Sequence, residues 1–556
     1  MINITEKDSK KCPGETSLYV KFNYFPEYVN IMKQCDGAKY DTKNKQWEVP
    51  ISELSLLLNE FHEWDDINLT VLPDNAKEYE DITLDEFKTT PFDYQLDGIK
   101  YGLQHNKWLL LDAPGLGKSL QILYIAQELK KNKDIKHCLI VCGINTLKTN
   151  WKKEIELHTN LTCKILGERY NKKGHLVFKG IKERIEDLES NIDEFFVITN
   201  IESLRNDDVI KLLQKGKNKF DMIVLDEAHC CKNPTAQQTK NFLKLKSNYQ
   251  IAATGTVITN SPLDTYVPLK WIGVEKCSYS AFRFYYVMYG GLFNNEILGY
   301  KHMDILKDEI SNHSLRRTKD LLNLPEKTVI NELIEMNPIQ QAFYENIVRG
   351  IVDDIDKVTM STNSLLSNIA RLRQATVCPS ILTSENIPSA KMERCIDLVH
   401  QIISNGEKVV VFSTFKESLN VMKQYLDIYN PLLCTGDVTD DIISENVDKF
   451  QTNDSYKIML ATWSKMGTGI TLTAANNVIF LDCAWTSAMN EQAEDRCYRI
   501  GSNKPVFIYY LWTNDTIDLR VKELNEDKSL MFDYMIDNQA SSKLMSRLKN
   551  IILDLV

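Results

Sequence analysis

A Gly-rich turn between an apolar run and a helical pattern is the feature that most constrains this chain. The apolar run 108–111 predicts a buried strand, and the turn after it reads Asp112-Ala-Pro-Gly-Leu-Gly-Lys-Ser119. The backbone N–H groups of such a turn point at phosphate oxygens, while Lys118 meets the β- and γ-phosphates and the Ser119 hydroxyl meets Mg²⁺. Because the full pattern has Gly where Asp112 stands, a chance loop is an equal alternative until a second signal is found.

An acidic corner supplies the second signal. The sequence Asp226-Glu227-Ala228-His229 follows directly on the apolar run 222–225. An Asp that ends a buried parallel strand holds Mg²⁺ through water, and a neighbouring Glu polarises an attacking water. Alone, the corner is compatible with an ordinary strand-to-loop junction. The turn and the corner together, in this order and both at strand ends, favour a nucleoside triphosphatase.

Short apolar runs bounded by turn residues occur in two sets, and helical patterns separate most of them. Such alternation predicts a parallel sheet covered by helices on both faces, so the two sets predict two α/β lobes. The runs are 108–111, 138–142, 195–198, 222–225 and 249–253 in the first set, and 409–412, 457–461, 478–481 and 506–511 in the second.

The stretches outside the two lobes differ from them in pattern, and 556 residues exceed what one hydrophobic core supports. Alternating apolar residues flank an amphipathic segment near the amino terminus, an acidic stretch follows, and the middle of the chain is mainly helical. The predicted order is a small α+β module at 1–75, an acidic linker at 76–90, a first lobe at 91–275, a helical insertion at 276–388, a second lobe at 389–515 and a helical brace at 516–556.

Composition narrows the compartment and the partners. No run of about 18 apolar residues occurs, and residues 1–8 lack the layout of a signal peptide, so we expect neither a membrane span nor export. Thirteen cysteines without a C-x-x-C pair predict reduced thiols. The net charge of −10 argues against a surface coated with nucleic-acid-binding charge but allows a local basic groove. We expect a cytoplasmic protein, from a bacterium or a virus-infected cell by its Lys-, Asn- and Ile-rich composition.

Two basic residues in the second lobe are candidates for a contact across the lobes. Gln492, Arg496 and Arg499 are spaced i, i+4, i+7 and fall on one helix face. An Arg side chain binds phosphate oxygens bidentately and keeps its proton. Lobes that close on a nucleotide would bring such a group to the γ-phosphate, where an arginine finger accelerates hydrolysis by roughly 10³–10⁵. A surface helix with an ordinary acid–Arg pair is the alternative.

These segments, taken in order, resemble the motifs of a Swi/Snf-type ATPase of helicase superfamily two over residues 91–515. Two departures stand out, because Val257 replaces the usual Pro of motif III, and Lys465 and Met466 replace small residues at motif V. The similar segments are 92–98 (adenine reading), 112–119 (motif I), 139–143 with Trp151 and Glu154 (motif Ia), 226–229 (motif II), 253–260 (motif III), 315–319 with 324–327 (a signature of this family), 466–476 (motif V) and 492–501 (motif VI).

The resemblance implies two RecA-like lobes that hold ATP and Mg²⁺ between them, in an enzyme that hydrolyses ATP to ADP and phosphate. The implied catalytic residues are Lys118, Asp226, Glu227, Arg496 and Arg499, the implied Mg²⁺ ligands are Ser119 and Asp226, and the implied ATP contacts are Tyr94, Gln95, Gly115, Gly117, Lys118, Ser119, Gly469 and Gln492.

The resemblance also implies a partner, which is DNA. A monomeric translocase would move on duplex, forked or branched DNA and would contact mainly phosphates, because a motor steps regardless of sequence. A strand-separating helicase acting on branched DNA or RNA–DNA hybrids shares every motif. A DNA-binding scaffold with a decayed ATPase and a remodeller of protein-bound DNA are further alternatives, and protein partners stay open.

The amino-terminal module has a resemblance of its own. Phe22, Tyr24, Lys33, Tyr40 and Trp47 stand as they do in the HepA-related (HARP) domain found beside the ATPase in annealing helicases. Those enzymes rewind strands and remodel forks, which implies a role in replication, repair or recombination. A small α+β fold with a buried Trp47 is the alternative.

Two other segments carry open interpretations. Aromatic residues at 282–286 could stack on DNA, but helical core packing is favoured. Arg371 and Arg373 could brace the lobes or touch phosphates, and the sequence does not decide between these roles. The nine histidines show no metal-ligand spacing.

Overall fold

The computed structural model contains three larger sheets that follow one another along the chain, with helices packed around them. Two of these sheets are entirely parallel and correspond to the predicted lobes. The predicted fold class, α/β with two RecA-like lobes and a small α+β module, is confirmed. The residues that the structure describes are 2–8, 16–22, 25–35, 37–50, 57, 67–70, 87–132, 134–143, 146–170, 176–255, 261–290, 296–322, 324–357, 362–466, 470–485 and 487–526.

Within the described residues, the amino-terminal module is a five-stranded sheet with the helix 26–34 packed against it. Its elements are β1 (Ile2–Asp8), β2 (Thr16–Lys21), α1 (Pro26–Gln34), β3 (Lys39–Asp41), β4 (Gln46–Pro50) and β5 (Ile67–Thr70).

The strand order of this module is β3-β4-β2-β1-β5, in which β1 and β5 run parallel and the other pairs antiparallel. Ile31 and Met32 of α1 pack on Leu18 and Val20 of β2, and these four side chains are buried. Trp47 is half-buried and its ring lies 5.3 Å from that of Tyr40. A compact apolar face therefore holds the module together, and Tyr24 lies outside the described residues.

The first lobe is a seven-stranded parallel sheet with helices on both faces and two small hairpins. Its elements are α2 (Asp93–Gln104), β6 (Lys107–Leu110), α3 (Lys118–Lys131), β7 (Cys138–Cys142), α4 (Thr146–His158), β8 (Cys163–Ile165), β9 (Glu168–Tyr170), β10 (Leu176–Phe178), α5 (Ile181–Glu189), β11 (Phe196–Asn200), α6 (Asp207–Lys215), β12 (Met222–Asp226), α7 (Gln237–Phe242), β13 (Tyr249–Ala253), α8 (Tyr266–Ile272), α9 (Tyr279–Tyr286), β14 (Val287–Gly290), β15 (Glu296–Tyr300), α10 (Met303–Asn312) and β16 (Ser314–Leu315).

The strand order β16-β6-β13-β12-β7-β11-β8 explains how distant segments of this lobe meet. Both faces of the sheet are covered: Ile223 and Leu225 of β12 enter one core cluster, while Met222 and Val224 enter the other. Because β13 lies between β6 and β12, the loops that follow these three strands are neighbours at one edge. Those loops are the predicted motifs I, III and II.

The second lobe is a six-stranded parallel sheet in the order β17-β22-β21-β18-β20-β19. Its elements are β17 (Lys327–Ile334), α11 (Pro338–Lys357), α12 (Thr362–Val377), α13 (Ala390–Ser404), β18 (Val409–Ser413), α14 (Lys416–Tyr425), β19 (Leu432–Cys434), α15 (Asp440–Thr452), β20 (Ile458–Thr462), α16 (Trp463–Met466), β21 (Asn477–Phe480), α17 (Ser487–Cys497), β22 (Val506–Thr513) and α18 (Ile517–Glu526).

The segment 276–388, predicted as a helical insertion, also supplies strands to both lobes. It contains β16, which pairs with β6 of the first sheet, and β17, which pairs with β22 of the second. Its aromatic cluster packs as favoured from the sequence, since Phe282 and Tyr286 are buried in the first-lobe core. No helix in the described part of the chain has the length and apolar character that crossing a membrane requires.

Candidate nucleotide site

The Gly-rich turn between β6 and α3 has the backbone that a phosphate loop needs. Gly115 (φ +88°) and Gly117 (φ +73°) lie in the left-handed region, which favours glycine. Gly117 caps the start of α3, and a Cβ there would lie only 2.3 Å from Nε2 of Gln95. Lys118, the first residue of α3, donates from Nζ to the carbonyl oxygen of Asp112 over 2.8 Å. The lysine therefore folds back across the turn, and Ser119 follows it at the helix start.

The predicted adenine-reading segment lies against this turn. Gln95 is buried, accepts from the Phe92 N–H at Oε1 (2.9 Å) and donates from Nε2 to the Leu116 carbonyl (3.1 Å). The Tyr94 hydroxyl donates to the same carbonyl over 3.1 Å, and burial raises the pKa of Tyr94 to about 12. Tyr94 and Gln95 thus hold the tip of the turn, and their predicted contact with a base stays a prediction.

Asp112, which occupies the position of the missing Gly, is fully buried and ion-paired. Arg317 donates from Nε to Oδ1 over 2.9 Å and from a terminal nitrogen to Oδ2. Gln121 of α3 donates to the same carboxylate over 3.0 Å. The departure from the motif is therefore compensated by partners that a local pattern does not show.

The acidic corner lies at the end of β12, two strands from the turn. Trp151 donates from its indole nitrogen to Oδ2 of Asp226 over 2.8 Å. Glu227 has φ +54°, an unusual value for a residue with a side chain, and its N–H donates to Asp226 Oδ1 over 3.0 Å. His229 Nδ1 lies 3.2 Å from Glu227 Oε2 and 3.3 Å from Thr254 Oγ1. The corner is a connected polar network.

Burial and the mixture of charges shift the acid–base properties of the site. Burial lowers the pKa of Lys118, against the opposing carboxylates of Glu227 and Asp226. Burial and the Glu227 charge raise the pKa of Asp226. Burial alone would raise the pKa of Glu227, but the His229 hydrogen bond and the nearby cations outweigh it and lower that pKa. The two carboxylates thus differ, since the pKa of Asp226 is raised and that of Glu227 is lowered.

Motif III packs directly on motif I, as the strand order requires. A Cβ at Gly255 would lie 2.7 Å from Cγ of Pro114, so the loop after β13 touches the turn after β6. Residues 256–260, including the departing Val257, lie outside the described residues.

The second lobe brings its arginines to this edge. A Cβ at Gly115 would lie 2.8 Å from Cβ of Arg499, so Arg499 lies against the turn of the first lobe. Arg496 is buried and donates from Nε to the Gln492 carbonyl over 3.1 Å. Burial and the Arg499 charge lower the pKa of Arg496 to about 10, while the charge of Glu227, across the cleft, opposes that shift. Residues of both lobes therefore meet around the turn.

The predicted site residues fall into three groups. Gln492, on α17, is half-buried, and its backbone carbonyl accepts the hydrogen bond from Nε of Arg496. Gly469, predicted in motif V, lies outside the described residues. The residues that the structure gathers around the turn and the corner are Tyr94, Gln95, Gly115, Gly117, Lys118, Ser119, Asp226, Glu227, Arg496 and Arg499.

Arg373 makes its contacts inside the second lobe. It is buried and pairs with Asp482 inside the second lobe (3.2 Å), where Thr414 N–H also donates to the Asp482 carboxylate over 3.0 Å. Its guanidinium carbon lies 4.8 Å from the ring centre of Trp485. Arg373 therefore braces the second lobe and does not join the nucleotide site.

The donor set suits a nucleoside triphosphate and a divalent cation. The Ser119 hydroxyl and the Asp226 carboxylate are oxygen ligands of the kind that Mg²⁺ prefers, and Lys118 with the two arginines supplies cations for phosphate. Arg499 can approach the turn this closely because Gly115 lacks a Cβ. Bound there, ATP would supply a phosphoanhydride bond and Mg²⁺ would neutralise part of its charge.

Comparison with known families and proteins agrees with this geometry. Residues 31–381 match the SNF2-related domain, and residues 390–501 match the helicase conserved C-terminal domain. An "Uncharacterized ATP-dependent helicase" of Mycoplasma pneumoniae is 29% identical over 81% of this chain and 42% of its own length. The Saccharomyces cerevisiae ATP-dependent helicase FUN30 is 25% identical over 83% and 48%. The chain thus spans less than half the length of these two relatives.

A solved structure is also similar. The Sulfolobus solfataricus SWI2/SNF2 ATPase core in complex with dsDNA is 25% identical, covers 84% of this chain and 98% of its own, and aligns with a TM-score of 0.38.

Proposed function

Because the chain belongs to the SNF2-related family, we propose that it is an ATP-hydrolysing motor that moves along duplex or branched DNA. One observation carries the proposal: Arg499 of the second lobe lies against the Gly115 turn of the first. Both lobes therefore contribute to the place where phosphates would bind. The names of the relatives, which denote ATP-dependent helicases, support the activity.

The first lobe supplies the groups that would hold phosphate and orient a water. Lys118 lies within electrostatic reach of both carboxylates and would exchange its bond to the Asp112 carbonyl for phosphate oxygens. Glu227 is held ionised by His229 and by cations, so its carboxylate can orient a water by accepting a hydrogen bond from it. Asp226 is oriented by the Trp151 indole and would face the metal.

The second lobe supplies charge that depends on closure. Arg499 lies against the turn and Arg496 interacts electrostatically with Glu227 only while the lobes are together, so opening would remove two guanidinium groups from the site. Such groups stabilise the charge that develops in phosphoryl transfer. A different affinity for ATP and ADP would then alternate closed and open states and shift one lobe along the DNA backbone.

DNA would lie across both lobes and be gripped at its phosphates. Contacts of this kind carry no sequence information, and they make affinity fall steeply with salt. The resemblance of the amino-terminal module to a HARP domain extends the proposal to remodelling or reannealing of forks, within replication, repair or recombination.

Phosphate release measured with several nucleic acids tests the proposal. The purified chain is incubated with ATP, Mg²⁺ and single-stranded, duplex, forked or RNA–DNA hybrid substrates, with Lys118→Ala as the reference for contaminating activity. We expect duplex and forked DNA to raise the rate well above that without nucleic acid. If none of the four nucleic acids raised the rate above that without nucleic acid, the proposed motor function would be contradicted and a different role for the site would be favoured.

A second assay separates a translocase from a strand-separating helicase, which the names of the relatives keep as the second candidate. A translocase displaces the third strand of a triplex but leaves an ordinary duplex paired. Release of a duplex strand by the wild-type chain, and not by Lys118→Ala, would assign the helicase activity instead.

A further inference from the structure

The family signature at 315–319 includes Arg317, which pairs with Asp112 in the site, and it continues from there toward the second lobe. It lies in the connector, which we define as residues 316–326, between β16 of the first sheet and β17 of the second. Residue 323 lies outside the described residues. The connector starts as a continuation of the first sheet, because the N–H of Ala113 donates to the Arg317 carbonyl over 2.9 Å. It therefore leaves the first lobe beside motif I.

Arg317 fixes the connector to the nucleotide-binding parts of the first lobe. Besides the Asp112 carboxylate, its guanidinium donates to the carbonyl of Tyr94 and to Oε1 of Gln121 (2.5 Å), and it lies 5.2 Å from the Tyr94 ring centre. The Arg317 side chain is 11% exposed and that of Asp112 is fully buried. One buried cation thus joins the adenine-reading segment, motif I and α3.

Lys319 fixes the connector to motif VI of the second lobe. Its ammonium pairs with the Asp495 carboxylate, donates to the Tyr498 carbonyl over 2.9 Å and lies 4.9 Å from the Tyr498 ring centre. Asp495 immediately precedes Arg496, and Tyr498 immediately precedes Arg499. Lys319 therefore holds the two residues that carry the arginines into the cleft.

The short distance between these two anchors gives them a joint consequence. Residues two apart along a chain have Cα atoms at most about 7 Å apart. While both ion pairs persist, the Asp112 and Asp495 carboxylates can separate only as far as two side chains stretch. Motif I and motif VI are thus linked through two residues, although Asp112 and Asp495 lie far apart in sequence.

We propose that Arg317 and Lys319 are positioning residues that couple motif I to motif VI and so set Arg496 and Arg499 against the Lys118 turn. The inference rests on the proposed function, since it assigns a role in the same ATP site. The two residues have different roles. Arg317 positions the parts of the first lobe that bind the nucleotide, and Lys319 positions the guanidinium groups of Arg496 and Arg499, which act during hydrolysis.

The matched test uses two lysines that both pair with the motif VI helix. Lys327 pairs with Glu494 over 2.9 Å, but it belongs to β17 and so joins two parts of the same lobe. Lys319→Met removes the link between lobes, whereas Lys327→Met removes a comparable ion pair within one lobe. Lys319→Arg keeps the charge and serves as the conservative rescue.

The full chain with duplex DNA is assayed for kcat, for the KM of ATP and for its unfolding temperature. We expect Lys319→Met to lower kcat by about 100-fold, the effect of misplacing a catalytic group by about 1 Å, with little change in KM. Lys319→Arg should recover most of that loss, and Lys327→Met should keep near wild-type kcat. Asp495→Asn combined with Lys319→Met should be no slower than either single variant, because both remove one link.

Two results would overturn the inference: equal kcat for Lys319→Met and Lys327→Met, or losses that simply multiply in the double variant. Small-angle scattering of the nucleotide-free chain separates this from failure of the proposed function. If wild type does not hydrolyse ATP, the function is wrong. The coupling is then tested by the radius of gyration alone. It is supported if Lys319→Met enlarges the radius and Lys327→Met does not, and it is contradicted otherwise.

Discussion

The first-lobe half and the second-lobe half of the cleft are built in different ways. In the first lobe, Asp226 ends one parallel strand and Lys118 follows the turn after another, two places away, so the strand order brings them together. In the second lobe, Arg496 and Arg499 come from one helix and the turn after it, and contacts with other segments set their direction.

This difference predicts which half of the cleft keeps its geometry when a single side chain is changed. A strand end is held by a whole sheet, whereas the arginines depend on a few side-chain contacts, above all those of Lys319. We therefore expect changes in the first half to act on binding and chemistry directly. Changes at the interface should act mainly on chemistry, while nucleotide binding is retained.

The largest effect is expected from the first-lobe half. Lys118→Ala removes the ammonium that would neutralise phosphate charge, so ATP turnover should fall by about 10³ or more, while DNA binding stays close to wild type. Phosphate release and a DNA-binding titration measure the two. Lys100→Ala, at an exposed position of α2, is the control. Surviving turnover in Lys118→Ala would show that the site is assigned wrongly.

The arginines should come next, and their effect tests the other half. Arg499→Ala should lower kcat by about 10³ with ATP affinity largely kept, because the first lobe still holds the nucleotide. Arg499→Lys should not restore the rate, since an ammonium lacks the planar fork. Arg349→Ala, with a side chain 71% exposed on α11, is the control. If Arg499→Ala lowered ATP affinity instead of kcat, Arg499 would serve to hold the nucleotide, as the first-lobe residues do.

A smaller effect is expected from the partner of Asp226. Trp151→Phe removes the indole N–H at 2.8 Å, so the Mg²⁺ concentration that gives half-maximal hydrolysis should rise about tenfold. Trp271→Phe is matched, because its indole donates to the Leu245 carbonyl in the core of the same lobe. Nucleotide binding is also measured with and without Mg²⁺. If both variants showed the same Mg²⁺ dependence, Trp151 would have no role at the metal site.

The smallest effect is expected from an exposed ion pair across the lobes. Lys153 and Asp448 approach to 3.0 Å, with side chains 52% and 63% exposed. Exposed pairs contribute little, so Lys153→Ala should change kcat by less than about threefold, against the much larger loss expected for Lys319→Met. A loss as large as that of Lys319→Met would mean that any charge across the lobes matters, and the comparison between the halves would fail.

The first-lobe half could be predicted from sequence because its information is local. Each of the five apolar runs of the first set is a strand or overlaps one, and the motif residues Lys118 and Asp226 lie where the strand ends place them. Four strands of the two large sheets escaped prediction: β8, β16 and β19 are only two or three residues long, and β17 alternates exposed and half-buried residues. None of them has the continuous apolar run of four or more residues that marks a strand buried on both faces.

The partners of the site could not be predicted, because they are separated by long stretches of chain. Arg317 meets Asp112 across 205 positions, and Lys319 meets Asp495 across 176. A local pattern shows a charged residue but not its partner, and the role of Arg373 likewise depends on Asp482, which is distant in sequence. The Asp at the place of a motif Gly was the available signal, since a buried carboxylate requires a cation.

A structure of the chain with Mg²⁺, ADP and a γ-phosphate mimic tests the central claim most directly. We predict that the guanidinium groups of Arg496 and Arg499 lie at hydrogen-bond distance, about 3 Å, from the mimic held by Lys118 and the turn. Guanidinium groups that point away from a bound mimic, with the lobes closed around it, would contradict the account.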